Sequence, residues 1–175
     1  ICSAVMKQSW IFKVDSSPSV GAGHMMRCLS LAKAMQKKAE ITFVLSADDY
    51  RWPKYLKELG FKCQKSFPKT EEIFFGVLVD GYRFDEAELA VLKSRCKRTV
   101  YFFDPATRRV DFDILLCLGI PENCAPKPVK GQLILAGPKY ALIDEQYRKL
   151  GKTSVEENEK NSSDYVLICC GNVDA

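Results

Sequence analysis

The 175-residue chain is 47% apolar and 27% charged, proportions that belong to a folded domain and exclude a disordered tail or a low-complexity array. Apolar runs such as Ile114–Leu118 are far shorter than the roughly 20 residues that span a bilayer, which excludes a membrane span and a membrane partner. Lys and Arg outnumber Asp and Glu by 26 to 22, but the basic residues are scattered and form no stripe with aromatic stacking partners, so nucleic acid is not an expected partner either.

In chain order, residues 1–9 carry no basic stretch followed by an apolar one and read as an N-terminal extension without a secretory signal. A strand is predicted at Trp10–Val14, followed by a helix over 24–38 with Met25, Cys28, Leu29, Ala32 and Met35 on one face. Next come a strand at Ile41–Leu45, a helix over 53–59, a strand at Val77–Val79 and a helix over 84–95. Strands at Thr99–Phe103, Ile114–Leu118 and Leu133–Ala136 complete a domain spanning 10–150. Most of these strands are continuously apolar, as strands covered on both faces must be. The alternation predicts an α/β fold: a Rossmann-like parallel sheet with helices on both faces. Residues 151–164, GKTSVEENEKNSSD, read as a polar linker. Beyond them Tyr165–Cys170 and its glycine turn read as the first strand of a second, nucleotide-binding domain that is cut off at residue 175.

Eight cysteines contain no Cys-x-x-Cys pair and no metal-like spacing, and several sit inside apolar runs. They read as reduced, buried thiols in a cytoplasmic protein, with no metal site.

In a sheet of this kind ligands bind beyond the carboxyl ends of the strands. Asp15, Asp80 and Asp104 each close a predicted strand there, though an Asp in that place also serves as a plain turn or helix cap. His24, the only histidine, follows Gly21-Ala22-Gly23 at the start of the first helix. The glycines let a ligand approach the helix's first free N–H groups. Asp15 is near enough in sequence to hydrogen-bond one ring nitrogen, and Arg27, one turn on, to hold a phosphate or a sugar hydroxyl. That is a general-base arrangement, while a histidine that merely begins the helix is the alternative. GAGHMM is not a dinucleotide fingerprint, because Met26 stands where the last glycine belongs, and no P-loop is present.

The segment FKVDSSPSVGAGHMMRCLSLAKAM resembles the opening motif of the pseudaminic-acid pathway UDP-sugar hydrolases and the related spore-coat polysaccharide proteins. LVDGY, YFFDP, GPKYALIDEQY and LICCGNVDA are similar to later segments of that family, in the same order. The resemblance covers about residues 10–175 and implies the N-terminal half of a two-domain glycosyltransferase-B architecture. By it, His24 is the general base that activates water in the metal- and cofactor-free hydrolysis of a UDP-linked 2,4-diacetamido-trideoxy sugar at its anomeric carbon. Gly21 and Gly23 shape the loop, and Asp15, Asp80 and Tyr82 line the sugar side of the cleft. Lys13 stands where the family usually has Arg, Gly81 where His is common and Asp144 where Arg is frequent. The alternative readings are a glycosyltransferase-B-type enzyme acting on another nucleotide sugar and a non-catalytic sugar- or protein-binding relative. The half read here predicts poor turnover without its missing C-terminal domain, and self-association through the apolar face that domain would cover.

Overall fold

The computed structural model describes residues 7–150 apart from Pro18, Thr107 and Arg108, with side chains described to Tyr147. The predicted linker at 151–164 and the predicted strand at Tyr165–Cys170 lie outside the described residues. Seven strands form one sheet in the order β3-β2-β1-β4-β5-β6-β7: β1 (Gln8–Val14), β2 (Ala39–Val44), β3 (Lys62–Gln64), β4 (Gly76–Asp80), β5 (Thr99–Phe102), β6 (Ile114–Cys117) and β7 (Leu133–Ala136). Every pairing is parallel. β1 begins at Gln8, so the last two residues of the stretch read as an extension belong to the sheet.

Side-chain alternation divides the core in two. Phe12 and Val14 of β1, Ile41 and Phe43 of β2, Leu78 of β4 and Phe102 of β5 face α1 (Gly23–Met35) and α2 (Trp52–Glu58), meeting Met25, Cys28, Leu29, Ala32 and Leu56. Ile11, Val77, Val79, Tyr101 and Leu115 face the opposite way, onto Leu89 and Leu92 of α3 (Glu86–Ser94). Helices therefore lie on both faces, as the continuous apolar strands required. α3 starts where Asp85 caps it, its carboxylate accepting the Glu88 N–H at 2.7 Å. A short α4 (Glu145–Leu150) closes the described chain.

Two elements have no counterpart in the sequence reading. β3 is a three-residue edge strand, KCQ, too short and too polar to show a period. α4 is six residues long and carries no full turn of apolar spacing. The predicted helices over 24–38 and 84–95 are shorter in the structure, ending at Met35 and Ser94.

The strand order reverses between β1 and β4. Chain leaves β1 toward β2 and β3 on one side, while β5 to β7 continue from β4 on the other. The crevice beyond the carboxyl ends of these two neighbours is the switch point at which such sheets bind ligands.

Candidate active site

Three side chains of α1 converge on one carboxylate at that crevice. Asp80, at the end of β4, has no solvent exposure. Its Oδ1 accepts from His24 Nδ1 at 2.6 Å and from Arg27 Nη2. Its Oδ2 accepts from Arg27 Nε at 2.5 Å and from the Cys28 thiol at 3.4 Å. His24, Arg27 and Cys28 are related by i, i+3 and i+4, so they share one face of the helix, and that face looks onto the sheet beside β4. The Arg27 guanidinium also lies over the Phe102 ring, 4.5 Å from its centroid.

Nδ1 of His24 lies 3.0 Å from Arg27 Nη2 as well as 2.6 Å from the carboxylate. A guanidinium only donates and an ionised carboxylate only accepts, so Nδ1 cannot serve both partners. The shorter contact assigns the proton to Nδ1, pointing at Asp80. The Nε2 lone pair is then the ring's free acceptor. No described residue hydrogen-bonds Nε2, and the ring, at 7% exposure, is covered edge-on by Tyr82 with centroids 4.8 Å apart. Tyr82 itself is half exposed and forms the outer rim.

Burial disfavours the Arg27 charge, but the hydrogen bonds and attraction of Asp80 outweigh it and raise the guanidinium's pKa. Burial, aided by the Asp80 charge, pushes the Cys28 thiol well above its ordinary value, so it stays protonated and donates.

Asp15 is placed otherwise than its nearness in sequence suggested. Val14 is in register with Asp80, so Val14 and Asp80 share the α1 face and Asp15 belongs to the other. Its backbone N–H donates to the Asp80 carbonyl at 2.8 Å, while its carboxylate takes Arg83 Nε at 3.2 Å and the Ser17 N–H at 3.4 Å. The ring partner of His24 is therefore Asp80, not Asp15. Asp80 in turn is sealed behind the histidine and does not line the cleft surface. Lys13, on the same strand face as Asp15, pairs with Glu88 of α3 at 2.9 Å.

The loop between β1 and α1 is fastened on several sides. Arg83 donates to the hydroxyls of Ser17 and Ser19. Arg51 Nη2 reaches the carbonyls of Ser16 and Ser17 at 3.2 and 3.1 Å. Ser16 and Ser46 exchange backbone-to-hydroxyl bonds, each 3.2 Å, between the ends of β1 and β2. Neither arginine stood out in the sequence, because each reaches the loop across more than 30 residues of chain.

Half-buried Gly21 leads into the helix, whose first turn has no side-chain cap and no acidic residue. Gly23 is exposed, and a Cβ there would meet nothing within 4 Å. Packing does not demand glycine at position 23, so its bareness leaves the approach to the uncapped N–H groups open. Gly81 is different. Its φ of +152° and the 2.3 Å separation between a built Cβ and Asp15 Cβ exclude a side chain at this position. The groove of about 480 Å³ between α1 and residues 141–145 shares no residue with the His24 cluster, and a 2.8 Å Lys33–Asp144 ion pair borders it.

Cys28, Cys63, Cys96, Cys117 and Cys124 are free thiols. Among the described residues no helix is long and apolar enough to cross a membrane.

An uncharacterized protein of Methanocaldococcus jannaschii is 24% identical to this chain over 174 residues. The match covers 91% of the chain and 36% of that protein, so the chain spans about a third of the length of the relative it matches. No protein-family model and no solved structure matches it.

Proposed function

We propose that this chain is the base-bearing, N-terminal half of a nucleotide-sugar hydrolase. Its substrate on this reading is a UDP-linked 2,4-diacetamido-trideoxy sugar. Nε2 of His24 takes a proton from water as the water oxygen attacks the anomeric carbon. The bond from that carbon to the β-phosphate oxygen breaks, and UDP leaves with the electron pair. Asp80 holds the ring in the tautomer that leaves Nε2 free, and offsets the charge the ring acquires.

The observation that carries the proposal is the buried 2.6 Å contact between His24 Nδ1 and Asp80 at the switch point of the sheet. A histidine that only begins a helix needs no buried carboxylate behind it. The half-exposed Tyr82 and the exposed Met26 supply apolar surface on which the sugar or the nucleotide-binding half would close. Gly23 and the uncapped helix end supply room and donors beside it.

The test is UDP release from that UDP-linked sugar by the full-length protein and its His24→Ala variant. Loss of a general base predicts a fall of about 10²–10⁴-fold. An active parent matched by an equally active variant overturns the role of His24. Release that begins only when a sugar or alcohol acceptor is added replaces hydrolysis with glycosyl transfer, the acceptor hydroxyl taking the place of water.

A further inference from the structure

Asp80 has about four lone-pair positions for hydrogen bonds, and α1 fills them all. His24 and Arg27 Nη2 occupy Oδ1, and Arg27 Nε and Cys28 occupy Oδ2. A carboxylate bound only to one imidazole can turn about its χ2 bond and release the ring. Gripped through both oxygens by a planar fork, it cannot. The fork is itself held, because its guanidinium lies on the Phe102 face, 4.5 Å from the centroid. The Nε and Nη2 edge, one of the two paired edges an arginine can offer a phosphate or a sugar, is here committed to a carboxylate that is fully buried.

We propose that Arg27 is a positioning residue, which clamps Asp80 and through it fixes the His24 ring with Nδ1 protonated and Nε2 bare, and is not a contact to the ligand. The proposal rests on the reading of His24 as the base, but its central observable is a property of the ring that exists without any substrate. A simple packing role for Arg27 would leave the tautomer unchanged. A ligand-binding role would show in KM.

His24 is the only histidine of the 175-residue chain, so its ring nitrogens give one pair of signals in a long-range ¹H–¹⁵N spectrum. The spectrum is to be taken at a pH where the ring is neutral, for the parent, Arg27→Gln and Arg27→Lys. In the parent a protonated Nδ1 and a bare Nε2 are expected. In Arg27→Gln the two nitrogens are expected to move toward a common, averaged shift. Arg27→Lys, which keeps the charge but loses the fork, should fall between them, and it serves alone should Arg27→Gln not fold. Parent-like tautomers in the variants overturn the proposal, as does a parent ring carrying its proton on Nε2.

With the full-length protein, kcat for UDP release is expected to fall by about 10²-fold in Arg27→Gln while KM stays within a factor of about two, the cost of a slightly misplaced catalytic group. A tenfold rise in KM at unchanged kcat would instead make Arg27 a ligand contact and sink the proposal. If His24→Ala releases UDP as fast as the parent, the reading of His24 as the base falls, while the tautomer spectra still decide whether Arg27 positions the ring.

Discussion

The ends of β1 and β4 lie side by side, joined by a backbone hydrogen bond; a buried aspartate closes β4 and another directly follows β1, yet the two carboxylates do different work. Asp80 is held by three side chains of one helix, and those groups are themselves buried or packed on an aromatic ring. Asp15 is held by its own loop and by Arg83, whose side chain is 57% exposed. The divergence follows from strand parity. One residue beyond the last register pair places Asp15 on the side of the sheet that α1 does not cover. A buried carboxylate becomes part of a site through the groups its strand face presents to it, and burial by itself assigns no role.

The largest effect that would break this contrast is expected from Asp80→Asn. It leaves Arg27 facing an amide and offers Nδ1 no anionic acceptor. Unfolding in urea should show a loss of about 3 kcal/mol, the scale for removing one partner of a buried ion pair. UDP release by the full-length protein should fall by about 10³–10⁴-fold, because the histidine loses its tautomer. A stability change below about 1 kcal/mol would show that Asp80 does not tie α1 to the end of β4.

Gly81→Ala comes next, since it strikes both strand ends at once. The added Cβ collides with Asp15 at a backbone angle that other residues avoid, for a loss of about 2 kcal/mol in the same unfolding experiment. Asp15→Asn should be much milder. It keeps the shape and weakens a partner that is largely in water, so a loss of about 1 kcal/mol or less is expected. The His24 ring signals should stay where they are, and a changed tautomer in this variant would erase the distinction between the two aspartates.

The smallest effect concerns pH. The Cys28 thiol is raised well above its ordinary value of 9.0 by burial and by Asp80. The folded state therefore holds a proton that the unfolded chain gives up. The stability this contributes is fully present below the ordinary thiol value and is lost as pH rises through the raised one. Urea midpoints near neutral pH, and again about one unit above the ordinary thiol value, should drop more for the parent than for Cys28→Ala. Equal drops would mean that burial and the Asp80 charge together do not hold the thiol's proton.

The sequence by itself determined the architecture. Continuous apolar strands demand cover on both faces, and the helical spacing of Met25, Cys28, Leu29 and Ala32 supplies it, so an alternating parallel α/β sheet followed from local pattern alone. It also singled out His24, Arg27 and the glycines before them, because a lone histidine at a glycine-led helix start is visible as a string of letters. Partnership was not visible. Choosing between Asp15 and Asp80 as the ring's partner depends on how β1 and β4 are aligned, and their register is fixed by packing between segments more than 60 residues apart. The same holds for Arg51 and Arg83, whose hold on the loop before α1 exists only once distant strands lie next to each other. Periodicity is a property of neighbours along the chain. Which carboxylate meets which imidazole is a property of neighbours in space, and only the tertiary structure decided it.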